Sequence, residues 1–174
     1  MAARRAYWLL PQQPLDDWRR DLFAGRAKPT VFVEVFGLRS AAQWYAVAPR
    51  DDAIAFPECF ILRNHVGKVR LARFTVRSAN RAPHIALAMQ GARALRSRVD
   101  GVTLGDKESA WSLSLYGMQD RVLQIEIESE PNEIFAITVQ EHIPGLPRHL
   151  MPAGAHDVAP QVGTTMSTDI LRFY

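Results

Sequence analysis

The chain is nearly devoid of cysteine. Cys59 is the only one in 174 residues, so no internal disulfide can form. A domain of this length buries about 70% of its unfolded surface and needs no disulfide or metal to fold. One cysteine suits a reducing compartment and is equally compatible with an exported bacterial domain. Long apolar runs are missing too: none approaches the roughly 18 to 20 residues that span a bilayer. The apolar run in MAARRAYWLLPQQP is halted by Pro11, is too short for a signal-peptide core, and lacks a small-residue cleavage site. No Asn-x-Ser/Thr acceptor for glycosylation occurs.

Catalytic signatures are absent as well. There is no Gly-x-Ser-x-Gly elbow, and neither GLRSAAQ nor GVTLGDKES has the glycine spacing and Lys-Ser/Thr of a phosphate-binding loop. Cys59 lies in an apolar strand-like run, where a free thiol behaves as a small hydrophobe rather than a nucleophile. The carboxylate pairs Asp51-Asp52 and Glu126-Glu128 read as solvated, one in a loop and the other on the outer face of a strand. The net charge of +3 comes from basic residues, nearly all arginine, scattered at Arg19, Arg50, Arg70, Arg77, Arg98 and Arg121. Polyanion binding calls for a clustered basic face, so nucleic acid is not an expected partner.

What the chain does have is period-two hydrophobicity. From Thr30 onward, short β-rich runs alternate with turn residues. TVFVEVF reads as a strand buried on both faces, QWYAVAP stops at Pro49, and ECFILR is closed by the turn NHVGK. VRLARFTVRS sets Val69 and Leu71 against Phe74 and Val76, which predicts a bulge near Arg73. HIALAMQ buries Ile85, Leu87 and Met89; AWSLSLYG buries Trp111, Leu113 and Leu115. RVLQIEIES buries Leu123, Ile125 and Ile127, with Gln124, Glu126 and Glu128 facing water, and NEIFAITVQE buries Phe135, Ile137 and Val139. Asp100-Gly101 is a hairpin dipeptide. Upstream, Leu15, Trp18 and Leu22 recur at helical spacing before Gly25. The expected fold is all-β, an antiparallel β-sandwich of about 8–10 short strands with one short N-terminal helix. The expected organisation is residues 1–29 as an N-terminal segment with that helix, 30–141 as the sandwich, and 142–174 as a Pro/Gly-rich connection and terminal strand packed on the same domain.

The stretch HIPGLPRHLMPAGAH places His142, His149 and His156 seven residues apart, with Asp157 following. Zinc takes three or four such ligands at about 2.0–2.3 Å. Pro144, Pro147 and Pro152 exclude a helix that would bring the three histidines to one face. In extended chain successive histidines stand about 20 Å apart, so convergence would need two chain reversals. The stretch therefore reads as a loop between strands, with a metal site as the alternative. For ligand binding, β-sandwiches offer exposed aromatic platforms. Trp8, Trp44, Tyr45, Trp111 and Tyr116 are the candidates, and Trp44 and Tyr45 must point to opposite faces, so one of that pair is the expected binding surface.

Several phrases in order resemble one known group. RRAYWLLPQQPLDDWRRDLF, through Ala6-Tyr7-Trp8 and Asp16-Asp17-Trp18, resembles the segment that opens the C-terminal soluble region of membrane-bound zinc metallopeptidases of family twenty-eight, the vacuolar membrane protease-like group. RFTVRSANRAPHIALAM is similar to that group's strand, Ser-x-x-Arg-Ala turn and next strand, represented by Ser78, Arg81 and Ala82. VDGV, WSLSLYG, HIPGLP and the ending LMP…TTMSTDILRFY follow in the group's order, although an acidic residue often precedes the group's Gly-Leu-Pro where this chain has His142-Ile143-Pro144. The resemblance implies a parent protein with a zinc exopeptidase domain, several transmembrane helices, and a β-rich domain on the protease's side of the membrane. That family's two-zinc pattern of His, Asp and Glu ligands with a Glu base lies in the first domain, and none of it maps onto this chain. The resemblance thus implies a non-catalytic, extracytoplasmic (periplasmic-side) accessory domain with no cofactor of its own. Its partner would be its own protease domain or another protein, and it would meet the membrane only through the parent chain. The alternative is a free-standing carbohydrate- or protein-binding module.

Overall fold

The computed structural model describes residues 6–11, 28–30, 43–105, 110–145, 147–150 and 164–174. Their regular structure is strand apart from one short 3-10 turn, Arg148–Leu150. The expected helix around Leu15–Leu22 and most of TVFVEVF lie outside the described residues. The strands are β1 (Ala6–Pro11), β2 (Lys28–Thr30), β3 (Gln43–Ala48), β4 (Glu58–Val66), β5 (Arg70–Arg77), β6 (His84–Gln90), β7 (Arg96–Val99), β8 (Val102–Thr103), β9 (Ser112–Tyr116), β10 (Val122–Ser129), β11 (Phe135–Pro144) and β12 (Thr164–Phe173). The chain divides into two compact units, residues 1–53 with 144–165, and residues 54–143 with 166–174.

The first unit holds an antiparallel three-stranded sheet in the order β1-β3-β2. Ala6–Pro11, a short apolar run halted by proline, forms an edge strand, where a missing N–H breaks no ladder bond. Across this sheet Tyr7 meets Tyr45 edge to face, with ring centroids 6.1 Å apart.

The second unit contains two antiparallel sheets, one ordered β4-β5-β10-β7-β8 and the other β12-β11-β6-β9. Alternation builds each. In β5, Ala72, Phe74 and Val76 are buried; in β10, Leu123, Ile125 and Ile127; in β6, Ile85, Leu87 and Met89; in β11, Phe135, Ile137 and Val139. Together with Trp111, Met118, Leu171 and Phe173 these residues form one apolar cluster. Phe173 packs on Phe135 at 4.8 Å and on Phe74 at 5.7 Å, so the last strand closes the core between residues of both sheets. Burial of each such side chain contributes about 1.5–3 kcal/mol.

Three local features depart from the expected pattern. The bulge lies not at Arg73 in β5 but across from it in β4, where the register shifts between Ile61 and Arg63. β5 itself alternates without a break, because the inward position preceding Ala72 is Arg70. That guanidinium is buried, and its Nη1 donates to the main-chain oxygen of Tyr174 at 2.7 Å and to Asn64 Oδ1 at 3.2 Å. A charged group takes an inward place there because polar partners meet it at the end of the core. Finally, β4 does not close at Arg63 but runs on to Val66, and the turn is made by residues 67–69.

The Asp100-Gly101 hairpin forms as the dipeptide predicts. Both residues have positive φ, 49° and 82°, which matches the right-handed twist of the β7–β8 pair. Asp100 also caps the neighbouring strand, its carboxylate accepting from Gln124 N at 2.8 Å and from Arg121 Nη2 at 3.1 Å.

Candidate functional site

A polar nest sits at one end of the core, built from the inward-facing ends of β4, β11 and β12 and the β5–β6 turn. Glu141 is fully buried in β11. Its Oε1 accepts from Ala79 N at 2.7 Å and its Oε2 accepts from the Asn80 amide. Asn80 in turn holds Ala55 through both of its main-chain groups, and Ser167 Oγ donates to the same Ala55 oxygen at 2.7 Å. The turn carrying Asn80 is itself fixed, because Ala82 N donates to Ser78 Oγ at 2.6 Å while Arg81 adopts a left-handed φ of 53°. Ser78, Arg81 and Ala82 therefore form one structural turn, and the Arg81 side chain leaves it to meet Asp120 at the surface.

Cys59 borders this nest. Burial pushes its thiol up to about 12, and the nearby carboxylates of Asp169 and Glu141 push in the same direction. A thiol so held stays protonated near neutral pH and is a poor nucleophile. Chemically the nest holds strands together: its carboxylate is engaged by two donors and its thiol is silenced.

A second cluster crosses the other face of the four-stranded sheet. His142 pairs with His84 across β11 and β6, and His84 pairs with Tyr116 across β6 and β9. The rings form a row with centroids 4.4 Å apart at both steps, His84 stacked on Tyr116 at an interplanar angle of 7° and tilted by 35° against His142. Nε2 of each histidine is buried without a hydrogen-bond partner. Desolvation, and then the neighbouring His84, hold the His142 imidazole below its ordinary pKa. Tyr116 ends the stack and is 75% exposed.

The other predicted residues fall as follows. His149 lies in the 3-10 turn of the first unit, exposed, with its Nε2 3.3 Å from Asp51 Oδ2. His142 belongs to the second unit, and His156 and Asp157 lie outside the described residues. Among the described residues no three His, Cys, Asp or Glu side chains are grouped so as to hold a metal ion. Trp44 and Tyr45 are both half-buried in β3. A cleft of about 220 Å³ lined by Gln90, Ile134, Phe135, Arg172 and Tyr174 is smaller than the roughly 300–1,000 Å³ of typical ligand pockets.

One feature was hidden in the linear order. Cross-strand register sets Arg63, Arg73, Glu126, Arg98 and Thr103 in a single row over the outer face of the five-stranded sheet. Glu126, read from sequence as solvated, is instead 14% exposed and clamped: Arg73 Nε reaches Oε2 at 2.9 Å, and Arg98 Nη1 reaches Oε1 at 3.2 Å. Arg77 pairs with Glu58 on the same face. These arginines, ten or more residues apart in the chain for the most part, carry no sequence signal of clustering, because register between strands decides their meeting. Comparison of the chain with protein-family models, with characterised proteins and with solved structures finds no match.

Proposed function

We propose that this chain is a β-sandwich interaction domain without catalytic chemistry of its own, the extracytoplasmic accessory part of a membrane-anchored zinc exopeptidase. Its work is docking against its own protease domain or another protein, and zinc belongs to that protease domain. The parentage rests on the six sequence phrases that resemble the peptidase group. The sandwich reading is supported by the two antiparallel sheets of the second unit, whose inward faces contribute to one apolar cluster.

The observation that carries the docking reading is β4. Among the described strands this one lies at the outer end of its sheet, and it exposes three consecutive apolar residues, Phe60, Ile61 and Leu62, each about half exposed or more. Soluble domains usually blunt such an edge, so a long apolar one marks an interaction site. The coding frame upstream of Met1 tests the parentage: it should continue through apolar spans of about twenty residues into a zinc-peptidase domain. Turnover of aminoacyl or peptidyl substrates by the isolated chain would overturn the non-catalytic assignment.

A second reading, a carbohydrate-binding module, is favoured by Tyr116, whose exposed ring is stiffened by stacking on His84. A glycan screen separates the two, since this reading requires a saturable ligand that is lost in Tyr116→Ala.

A further inference from the structure

The charge row over the five-stranded sheet is incomplete at one end. Reading inward from β4 it runs Arg63, Arg73, Glu126, Arg98, and the single carboxylate is already shared between Arg73 and Arg98. Arg63 and Arg73 stand directly opposite one another, an arrangement of like charges that costs stability in a sheet. Local conflicts of this kind concentrate where a structure is shaped for a partner. A carboxylate on the far side of Arg63 would give each of the two facing arginines an acidic neighbour, and that position lies where another strand would sit against β4.

The edge itself favours such a strand. From Phe60 to Val66 every residue of β4 is exposed. Phe60 lies opposite Thr75 on the outer face, Ile61 opposite Phe74 on the inner face, and Leu62 is the extra residue at the bulge. An added strand would therefore meet apolar surface on both faces of the ladder and a cation at Arg63. Apolar side chains alone would attract any sticky strand, and the outward arginine discriminates among them. Across this face five arginines (Arg63, Arg73, Arg77, Arg96, Arg98) stand against three glutamates (Glu58, Glu126, Glu128), a positive surplus that disfavours a second copy of the same surface.

We propose that β4 is a docking edge for an extended acidic and apolar segment of another polypeptide, which adds as a strand and places a carboxylate on Arg63. Main-chain hydrogen bonds supply the general attraction, and the Arg63 carboxylate pair supplies the selectivity. The proposal rests on the docking reading above and names its surface and the partner's chemistry.

A terminally blocked peptide of alternating valine and glutamate is the probe, followed by amide NMR and hydrogen exchange on the whole chain. Binding should shift and protect β4 amides and should weaken about tenfold in Arg63→Glu, whose exposed position leaves folding intact. The same variant should gain affinity for a valine-lysine peptide, an inversion that simple loss of structure cannot produce. Alternate N-methylation of the valine-glutamate peptide should abolish binding. The proposal is overturned if wild-type protein ignores the peptide at millimolar concentration, or if Arg63→Glu changes nothing. It is equally overturned if a heparin fragment or an anionic vesicle binds in the peptide's place, or if β4 instead pairs two copies of this chain. Should the peptide fail while the chain still cross-links to an upstream peptidase domain through another surface, the docking reading survives and the β4 assignment does not.

Discussion

At the scale of single residues, the second unit treats its polar groups in two opposite ways. Glu141 is buried with both carboxylate oxygens satisfied, so its substitution leaves donors stranded. Glu141→Ala strands the Ala79 N–H and the Asn80 amide, and each unsatisfied buried donor costs about 1–3 kcal/mol. Glu141→Gln keeps the shape but turns an NH₂ group toward one of those donors, so it should recover only part of the loss. Urea unfolding of the two variants checks this, and a glutamine variant as stable as wild type would contradict it. Cys59 illustrates silencing by burial. With its thiol pushed up to about 12, it should resist iodoacetamide at pH 8 in the native protein and react once the chain is unfolded in urea. Sequence reading recognised Cys59 as a small hydrophobe from its apolar neighbours. It gave no sign of Glu141, because an acidic residue at the end of a strand looks like the start of a solvated loop until the Asn80 turn is folded over it.

At the scale of elements, alternation made most strands legible. It says little about β4, whose apolar run does not alternate and whose residues from Phe60 to Val66 are exposed. It fails at Arg70, whose inward place the Tyr174, Asn64 and Pro131 acceptors explain. Turn chemistry was more reliable, and two glycines test why. Gly101 has φ 82° with open space where a Cβ would project, so Gly101→Ala carries only backbone strain, about 1 kcal/mol. Gly91 has φ 92° and would place a Cβ 2.7 Å from the Ile134 carbonyl oxygen. Gly91→Ala should therefore cost clearly more than Gly101→Ala, and thermal melts of the pair measure the difference directly. The ladder of His142, His84 and Tyr116 spans three strands and ties stability to pH. Folding lowers the His142 pKa below its ordinary 6.5, so the unfolded chain binds more protons in the window between the two values. That contribution is complete above about pH 6.5 and is lost as pH falls through the lower, folded value. Urea midpoints between pH 5 and 8 should fall on the acid side, and His142→Phe should flatten the profile; an unchanged slope would remove His142 as the cause.

For the whole molecule, chain order and spatial organisation part company. The compact second unit takes residues 54–143, leaves for residues 144–165, and returns with 166–174. The renewed alternation of the terminal run reads as a returning strand, and β12 does join the four-stranded sheet. The Pro/Gly stretch read as a connection from His142 starts later, because β11 runs on to Pro144, and residues 151–163 lie outside the described residues. The arginine row was not legible, since meeting distances across the sheet depend on four registers at once. What the second unit needs from the rest of the chain follows from its core. All of the residues in the apolar cluster lie within 54–143 and 166–174, and Phe173 packs on Phe135 of its own sheet and on Phe74 of the other. Gly145 and Thr164 form a bridge where the chain leaves and re-enters, and Thr165 Oγ1 donates to the Gly145 oxygen at 2.7 Å, so the two ends of the excursion lie within reach of a short loop. A variant beginning at Ile54, with residues 146–163 replaced by a turn of about four residues, should therefore fold cooperatively and keep the amide-exchange protection of β5, β10 and β11. In that background Phe173→Ala should cost about 3–5 kcal/mol, the penalty of a large buried aromatic, and should abolish protection in both sheets together. Loss of protection in only one sheet would mean that the two do not share a cooperative core. A shortened chain that fails to fold even with Phe173 intact would mean that stability is supplied from outside the cluster.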